Sequence, residues 1–202
     1  MATKSPSSPR PTGAAPARES GGGHRQTASA RREALVDAAV EQFALTGLYG
    51  TAVSAITDEV GITQPYAFSL FGTKKGLFLA AVERGFDRVE ESFRTAAAGA
   101  GEEGAFDAMK ESYGAVLADR SLLLIQLQAY AASADDDVRE VVRRRYAQLY
   151  ELVRELSGAN RDDLAQLFAT GMLLNVAAAL DLPDLLLNDT WLADCLSLPD
   201  AE

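Results

Sequence analysis

Two short segments with helical periodicity, separated by a glycine, constrain the fold of this chain most strongly. The first segment reaches Val60, and Gly61 ends it because glycine readily adopts the left-handed conformation that stops a helix. Thr63 then begins a second segment, whose first turn tolerates Pro65 since the first amides of a helix have no intrahelical acceptor. The inward positions of the first segment are Val53, Ile56 and Val60. The pattern predicts two short helices joined by a tight turn, the second ending near Phe71.

Longer helices are predicted on both sides of this pair. Upstream, apolar residues recur at three- and four-residue spacing until Gly47 stops the helix. Thr51 is predicted to cap the first short helix, and Thr73 to cap a long helix that follows the pair. The upstream stripe consists of Leu35, Ala38, Ala39, Gln42 and Phe43, and the downstream stripe of Leu77, Phe78, Ala81, Phe86, Val89 and Phe93.

The remainder of the chain is also predicted to be helical, because Ala, Leu, Glu, Asp, Arg and Gln dominate its middle part. After a break at residues 96–101 (AAAGAG), helices are expected near 102–118, 120–133, 135–157, 161–181 and 184–196. We therefore expect an all-α protein of about nine helices.

Composition narrows the class of protein. With 202 residues and a hydrophobic content of 48%, the chain can bury a core. Cys195 is the single cysteine, so no internal disulfide is predicted, and its default role is that of a buried thiol. The sequence has no cluster of Cys and His residues, so no metal site is predicted, and no cofactor is expected. The start lacks the apolar core of a signal peptide, and the longest apolar runs are too short to span a bilayer. A soluble cytoplasmic protein is expected.

The charge is unevenly distributed, although the formal net charge is -10. Residues 1–95 carry eleven basic and ten acidic side chains, whereas the rest carries eight and nineteen. Such asymmetry permits a nucleic-acid-binding end joined to an acidic body. The first 28 residues are rich in Pro, Gly and Ser and are predicted to form a disordered basic arm. Either the arm is an inert extension, or its arginines contact phosphate or the minor groove.

A tight turn between two short helices is the form of a helix-turn-helix, whose second helix enters the major groove of DNA. The residues predicted to hold that helix against the domain are Ala67, Leu70 and Phe71. Those left on its open side are Thr63, Gln64, Tyr66 and Ser69. Side chains of these types hydrogen-bond bases or phosphates, and Gln suits adenine.

Residues 34–78 resemble the N-terminal signature of the TetR family of repressors. The matching landmarks are Ala38-Ala39, Phe43, Gly47, Thr51, Ile56, Gly61-Ile62-Thr63, Phe71, Lys74 and Leu77. The resemblance covers about a quarter of the chain. It implies a two-domain α-helical homodimer, with a DNA-binding domain at 29–76 and a ligand-binding and dimerisation domain at 77–202. A small molecule would release such a repressor from a palindromic operator.

The resemblance also implies residue roles. Thr51 and Lys74 would touch phosphate, and the helix from Thr63 to Ser69 would read bases. Pro65 stands where Gly is frequent, and Phe68 stands where a phosphate-contacting Tyr is usual, so packing is favoured for Phe68 and Tyr66 could offset the lost hydroxyl. The candidate DNA-binding residues are Thr51, Thr63, Gln64, Pro65, Tyr66, Phe68, Ser69 and Lys74.

The second domain offers candidates for a ligand pocket and a dimer interface. Polar tips on otherwise apolar helices suit a small-molecule pocket, although core packing or surface exposure would explain each one. The pocket candidates are Tyr113, Gln126, Gln128, Tyr130, Phe168, Met172 and Asn175. The scarcity of buried cationic residues favours a neutral, hydrophobic or aromatic ligand, although a regulator without a ligand would show the same pattern. The dimer candidates are Gly171, Ala178, Leu186 and Trp191, which combine small residues with apolar surface.

A helical-bundle enzyme and a protein-binding adaptor are the two other interpretations of this sequence. A helical-bundle enzyme would need inward histidine or paired carboxylates, but the only histidine, His24, lies in the arm, so no catalytic residue is predicted. A helical adaptor that binds protein but not DNA stays open as the alternative. For the run Arg143-Arg144-Arg145, a solvated helix face beside Asp135–Asp137 and Glu140 is favoured over an anion or DNA site.

Overall fold

The computed structural model describes Met1 and residues 28–181, apart from the side chains of residues 102 and 103. Within those residues the chain is helical, without strands, as predicted. The seven helices are α1 (Ala28–Gly50), α2 (Val53–Val60), α3 (Gln64–Phe71), α4 (Lys74–Ala118), α5 (Arg120–Ala131), α6 (Asp136–Ser157) and α7 (Arg161–Ala179). The predicted arm up to residue 27, the predicted helix at 184–196, His24 and Cys195 lie outside the described residues.

Two glycines interrupt the long helices at the predicted places. Gly47 in α1 has φ 69° and ψ -178°, and Gly101 in α4 has φ 72° and ψ 177°. Both are left-handed values that glycine tolerates without steric cost. The helix expected near 102–118 is therefore the second part of α4, joined to the first part through Gly101.

The long helix α4 lies at the centre of the core. It packs against α1, α5, α6 and α7, and the ring of Phe78 meets that of Phe43 edge-on at 5.1 Å between centroids. The predicted stripes of α1 and α4 are buried, with Gln42 only half-buried. A single cluster of buried apolar residues extends from α1 to α7, so the first three helices and the remaining bundle share one core.

The capping prediction for Thr51 is wrong. Ala52 occupies the position before α2 and makes no side-chain cap, whereas Thr51 is 4% exposed. Its hydroxyl donates to the carbonyl of Gly47 at 2.8 Å and shares a 2.6 Å hydrogen bond with the hydroxyl of Thr46. Thr51 thus stabilises the end of α1, because the carbonyl of Gly47 accepts both its hydroxyl at 2.8 Å and its backbone amide at 3.3 Å.

The other two threonines occupy the predicted cap positions. Thr73 precedes α4, and its hydroxyl accepts from the amide of Gly76 at 3.0 Å. Thr63 precedes α3 but makes no side-chain cap, so its exposed hydroxyl stays available to other partners.

The interpretation of the arginine run on α6 as a solvated face is wrong for Arg145. Its side chain is only 13% exposed and pairs with Glu83, Asp87 and Glu90 of α4, at 2.7–3.3 Å. Arg144 also pairs with Glu83, while Arg143 is exposed. The cause is the packing of α6 along α4, which brings acids distant in sequence closer than those nearby.

Candidate nucleic-acid interface and ligand cavity

The turn between α2 and α3 is built by backbone hydrogen bonds around Gly61. With φ 71° and ψ 36°, Gly61 donates to the carbonyl of Asp58 at 3.2 Å, and Ile62 donates to that of Thr57 at 3.0 Å. These bonds satisfy the last carbonyls of α2 and redirect the chain into α3. The two short helices are therefore held at a fixed angle, as a helix-turn-helix requires.

One face of α3 is fixed against the domain, as predicted. Ala67 is 2% exposed, and Leu70 and Phe71 are partly buried against the core. Ala67 allows close packing because its side chain is small. The opposite face is consequently held in a defined orientation towards solvent.

The outer face of α3 carries the predicted reading residues. Thr63, Gln64, Pro65 and Ser69 are exposed, and Tyr66 is half-buried. Phe68 was expected to pack, but it is 38% exposed and lies on this outer face. An exposed aromatic ring at this position offers apolar contact area beside groups that form hydrogen bonds.

The start of α4 meets the end of α1 through Lys74. Its ammonium donates to the carbonyl of Tyr49 at 3.0 Å and is half-buried. Tyr49 itself is 76% exposed, and no sequence pattern indicates a role for it. Thr51, the other predicted phosphate contact, is buried with its hydroxyl engaged, so any contact it makes depends on movement of that hydroxyl.

A cavity between α4, α5, α6 and α7 is lined by six of the seven pocket candidates: Tyr113, Gln126, Tyr130, Phe168, Met172 and Asn175. Gln128 was also expected there, but its side-chain amide points away from the cavity and donates to the carbonyl of Ala44 at 3.4 Å. The prediction missed further aromatic lining residues, among them Phe86, Phe93 and Tyr146. Their apolar spacing on α4 and α6 fits the core equally well, so periodicity could not distinguish them.

The polar groups of the cavity form one hydrogen-bonded chain. The hydroxyl of Tyr113 donates to Oδ1 of Asn175 at 2.7 Å, and Nδ2 of Asn175 donates to Oε1 of Gln126 at 3.4 Å. Asn175 and Gln126 are 3% and 6% exposed, so this chain lies in an apolar environment. The side-chain amide nitrogens of Asn175 and Gln126 carry two hydrogens each, so the cavity keeps N–H donors for an acceptor atom of a bound molecule.

The cavity is electrically neutral around pH 7. No aspartate, glutamate, lysine, arginine or histidine is among its lining residues in the described part of the chain. Burial raises the pKa of Tyr113 to about 12, and it raises the pKa of Tyr130 and of Tyr146 as well. The tyrosine hydroxyls therefore stay protonated.

The space in the cavity is small, but it adjoins a larger cleft. The cavity has a volume of about 50 Å³, and the cleft between the second part of α4 and α7 has a volume of about 330 Å³. Tyr113, Leu167 and Gly171 line both spaces. A Cβ atom on Gly171 would lie 3.5 Å from the ring of Tyr113. Displacement of the Tyr113 ring would join the two.

The predicted dimer residues fall in three settings. Gly171 faces the cavity, Ala178 is half-buried on α7, and Leu186 and Trp191 lie outside the described residues. Val176 of α7 is 44% exposed and Leu180, which directly follows the helix, is 63% exposed, so apolar side chains are open to solvent at the end of α7. Dimerisation stays a prediction.

Two other classes of site were tested. Among the described residues no three His, Cys, Asp or Glu side chains lie close enough to hold a metal ion. None of the helices in the described ranges has both the length and the hydropathy needed to cross a bilayer.

Residues 35–81 match the family model of bacterial regulatory proteins of the tetR family. Comparison with curated proteins gives no match. The fold is similar to that of a protein from Pseudomonas aeruginosa PAO1 assigned as a transcriptional regulator, with a TM-score of 0.62 and 22% identity over 82% of this chain and 85% of that one. It is also similar to a TetR-like transcriptional regulator from Rhodococcus sp. RHA1, with a TM-score of 0.60 and 23% identity over 77% and 85%. At these identities the structures show a common fold, and the match at 35–81 shows the domain.

Proposed function

We propose that this protein is a transcriptional regulator of the TetR type: a homodimeric, non-enzymatic repressor that leaves its operator when an uncharged, largely aromatic molecule occupies the cavity. The observation that carries the DNA-binding part is the outer face of α3, where exposed Gln64 and Ser69 stand on a helix fixed by Ala67. A rigid helix with an exposed hydrogen-bonding face is what direct readout of the major groove needs. The proposed division is a DNA-binding domain at 29–76 and an effector domain from residue 77, and the proposed location is the cytoplasm.

The chemistry of the cavity supports an uncharged ligand. Transfer of a charged group from water into an apolar site costs several kcal/mol unless an opposite charge is present. The lining residues provide no charge, but the side-chain amides of Gln126 and Asn175 provide hydrogen-bond donors close to the hydroxyl of Tyr113. A molecule with an aromatic body and a carbonyl or hydroxyl oxygen fits this combination.

Helix α5 connects the cavity with the DNA-binding domain. Gln126 lines the cavity, and two residues later Gln128 contacts the carbonyl of Ala44 in α1. Helices α1 and α5 pack closely along their lengths. A ligand that changes the position of α5 would therefore bias the position of α1, and with it the reading face, provided that it binds one arrangement more tightly than the other.

The second connection runs through ion pairs at the start of α4. The ammonium of Lys75 lies 3.1 Å from a carboxylate oxygen of Asp135 and 2.5 Å from one of Asp137. Asp135 also caps α6 by accepting from the amides of Asp137 and Val138. Lys75 directly follows Lys74, so α6 is attached beside a predicted phosphate contact.

Selection of operator fragments from the genome tests the DNA-binding part. The protein should retain a near-palindromic fragment, with half-sites about one helical turn apart, and its affinity should fall as salt rises. Retention of no fragment even at low salt would refute the proposal and favour the adaptor alternative. Light scattering at micromolar concentration should give the mass of a dimer, and a monomeric mass would contradict the half-site geometry.

A further inference from the structure

The first turns of α1 lie against α3. The guanidinium of Arg32 lies 4.8 Å from the ring centroid of Phe71, within the range of a cation–π contact. The same side chain lies 3.7 Å from the carboxylate of Glu33. Arg32 thus makes its contacts within the protein although it lies at the surface, and it holds the beginning of α1 beside the end of the proposed reading helix.

The neighbouring Arg31 lines an open groove beside the helix-turn-helix. Its other walls are residues 60–63, which form the turn, and Tyr66 of α3. Arg31 is exposed, and no ion pair within the described part of the chain includes it. Of two adjacent arginines, one is therefore used in packing and the other keeps its donors for an external partner.

No acidic side chain lines this groove in the described residues. The acids close to the groove in sequence have other partners. Glu33, two residues after Arg31, pairs with Arg32 and Arg84, and the two acids of α2 face elsewhere. Glu59 accepts a hydrogen bond from the side-chain amide of Gln42 at 3.1 Å, and Asp58 lines a separate groove with Gln64 and Phe68. An anion that entered the Arg31 groove would meet a cation without competition from a carboxylate.

The position of the groove indicates which anion it suits. Thr63 and Tyr66, two of its walls, belong to the face proposed to read the operator. A helix seated in the major groove is flanked by the sugar-phosphate backbones, whose contacts set the register of the protein. Guanidinium groups bind phosphate with two parallel hydrogen bonds. We propose that Arg31 binds a backbone phosphate of the operator next to the start of α3, an inference that rests on the proposed function.

The test compares operator affinity at several salt concentrations for wild type, Arg31→Ala, Arg31→Lys and Arg143→Ala. Arg143 is the matched control, because it is exposed on α6 and removal of its guanidinium changes the net charge equally. A duplex of unrelated sequence is measured in parallel. Thermal unfolding of each variant shows that the domain is folded.

Because Arg31→Ala removes one phosphate contact per protomer, its affinity for the operator should fall about tenfold per protomer near 0.1 M salt. The slope of log K against log salt should become shallower by about 2 per dimer. Operator and unrelated duplex should lose affinity alike, and Arg31→Lys should recover most of it because it keeps the charge. The inference is overturned if Arg31→Ala keeps the slope and affinity of Arg143→Ala, or if its loss is confined to the operator, which would indicate a base contact. Wild type that binds neither duplex would refute the proposed function instead.

Discussion

The side-chain amide of Gln128 in α5 occupies the space that a Cβ atom on Gly47 of α1 would need. Gly47 also has a left-handed backbone, with φ 69°, so two independent constraints require glycine there. Its carbonyl accepts the hydroxyl of Thr51 at 2.8 Å. The end of α1, the entry to α2 and a helix that lines the cavity thus meet at one residue.

Gly47→Ala should lower the free energy of unfolding by about 1–3 kcal/mol, because alanine must adopt a left-handed conformation and displace Gln128. Urea denaturation measures the change. In a double-mutant cycle, Gln128→Ala should relieve the steric part and leave the backbone strain. Additive effects of the two substitutions would show that the contact does not limit Gly47. Gly158→Ala is a useful control, since Gly158 has φ 60° and open space around its Cβ position.

The fold and much of the candidate site followed from local patterns. The three- and four-residue spacing predicted that Ala67 lies on the inner side of α3. The mixture of polar tips and apolar side chains on the later helices predicted six residues that line the cavity. Contacts between segments distant in sequence did not follow. Periodicity gives the face of a helix but not its neighbour, so Arg145 was assigned to solvent although α4 supplies its partners. The role of Thr51 depends on the contacts of its hydroxyl with Gly47 and Thr46 at the end of α1, which a helix-cap pattern does not predict.

Removal of the Tyr113 hydroxyl tests the buried polar chain. Tyr113→Phe leaves Oδ1 of Asn175 without its 2.7 Å donor, and the variant should be less stable by about 1–3 kcal/mol. Tyr150→Phe is the matched control, because that ring packs against Phe168 without a hydroxyl hydrogen bond in the described residues. Equal unfolding free energies for the two variants at pH 7 would contradict a stabilising role for the hydrogen bonds among Tyr113, Asn175 and Gln126.

Burial of Tyr113 also predicts a pH dependence. The pKa of this hydroxyl is raised to about 12 in the folded protein, against about 10 for an unfolded tyrosine. Below pH 10 both states keep the proton, and between pH 10 and 12 only the unfolded state releases it, so stability falls with rising pH. Tyr113→Phe should reduce this alkaline loss by on the order of 2 kcal/mol. Unfolding curves at pH 9 and pH 11.5 measure it, and an unchanged loss in the variant would disprove the assignment to Tyr113.

An uncharged aromatic probe should bind the cavity, whereas its carboxylate analogue should not. We expect 2-naphthol at tenfold excess over its Kd to raise the melting temperature by roughly 2–4 °C, and 2-naphthoate at the same concentration to leave it unchanged. The physical reason is that the lining offers donors but no cation. Gly171→Leu, which fills the space beside Tyr113, should abolish the shift with 2-naphthol. Equal shifts with both probes would contradict the neutral character of the site.

Lys74 and Gln64 should differ in how their loss affects DNA binding. Lys74→Ala should weaken binding to the operator and to an unrelated duplex by the same factor, because phosphates are present in both. Gln64→Ala should cost about 1–3 kcal/mol on the operator and little on the unrelated duplex, because its amide lies exposed on the reading face of α3. Lys110→Ala, which removes an ammonium paired with Asp107 on the acidic body, serves as the control and should leave both affinities unchanged. Fluorescence anisotropy with the two duplexes at constant salt measures each of the three variants against wild type. If Gln64→Ala lost equal affinity for both duplexes, Gln64 would be a backbone contact, and the base-reading role of this face would have to be assigned to other residues.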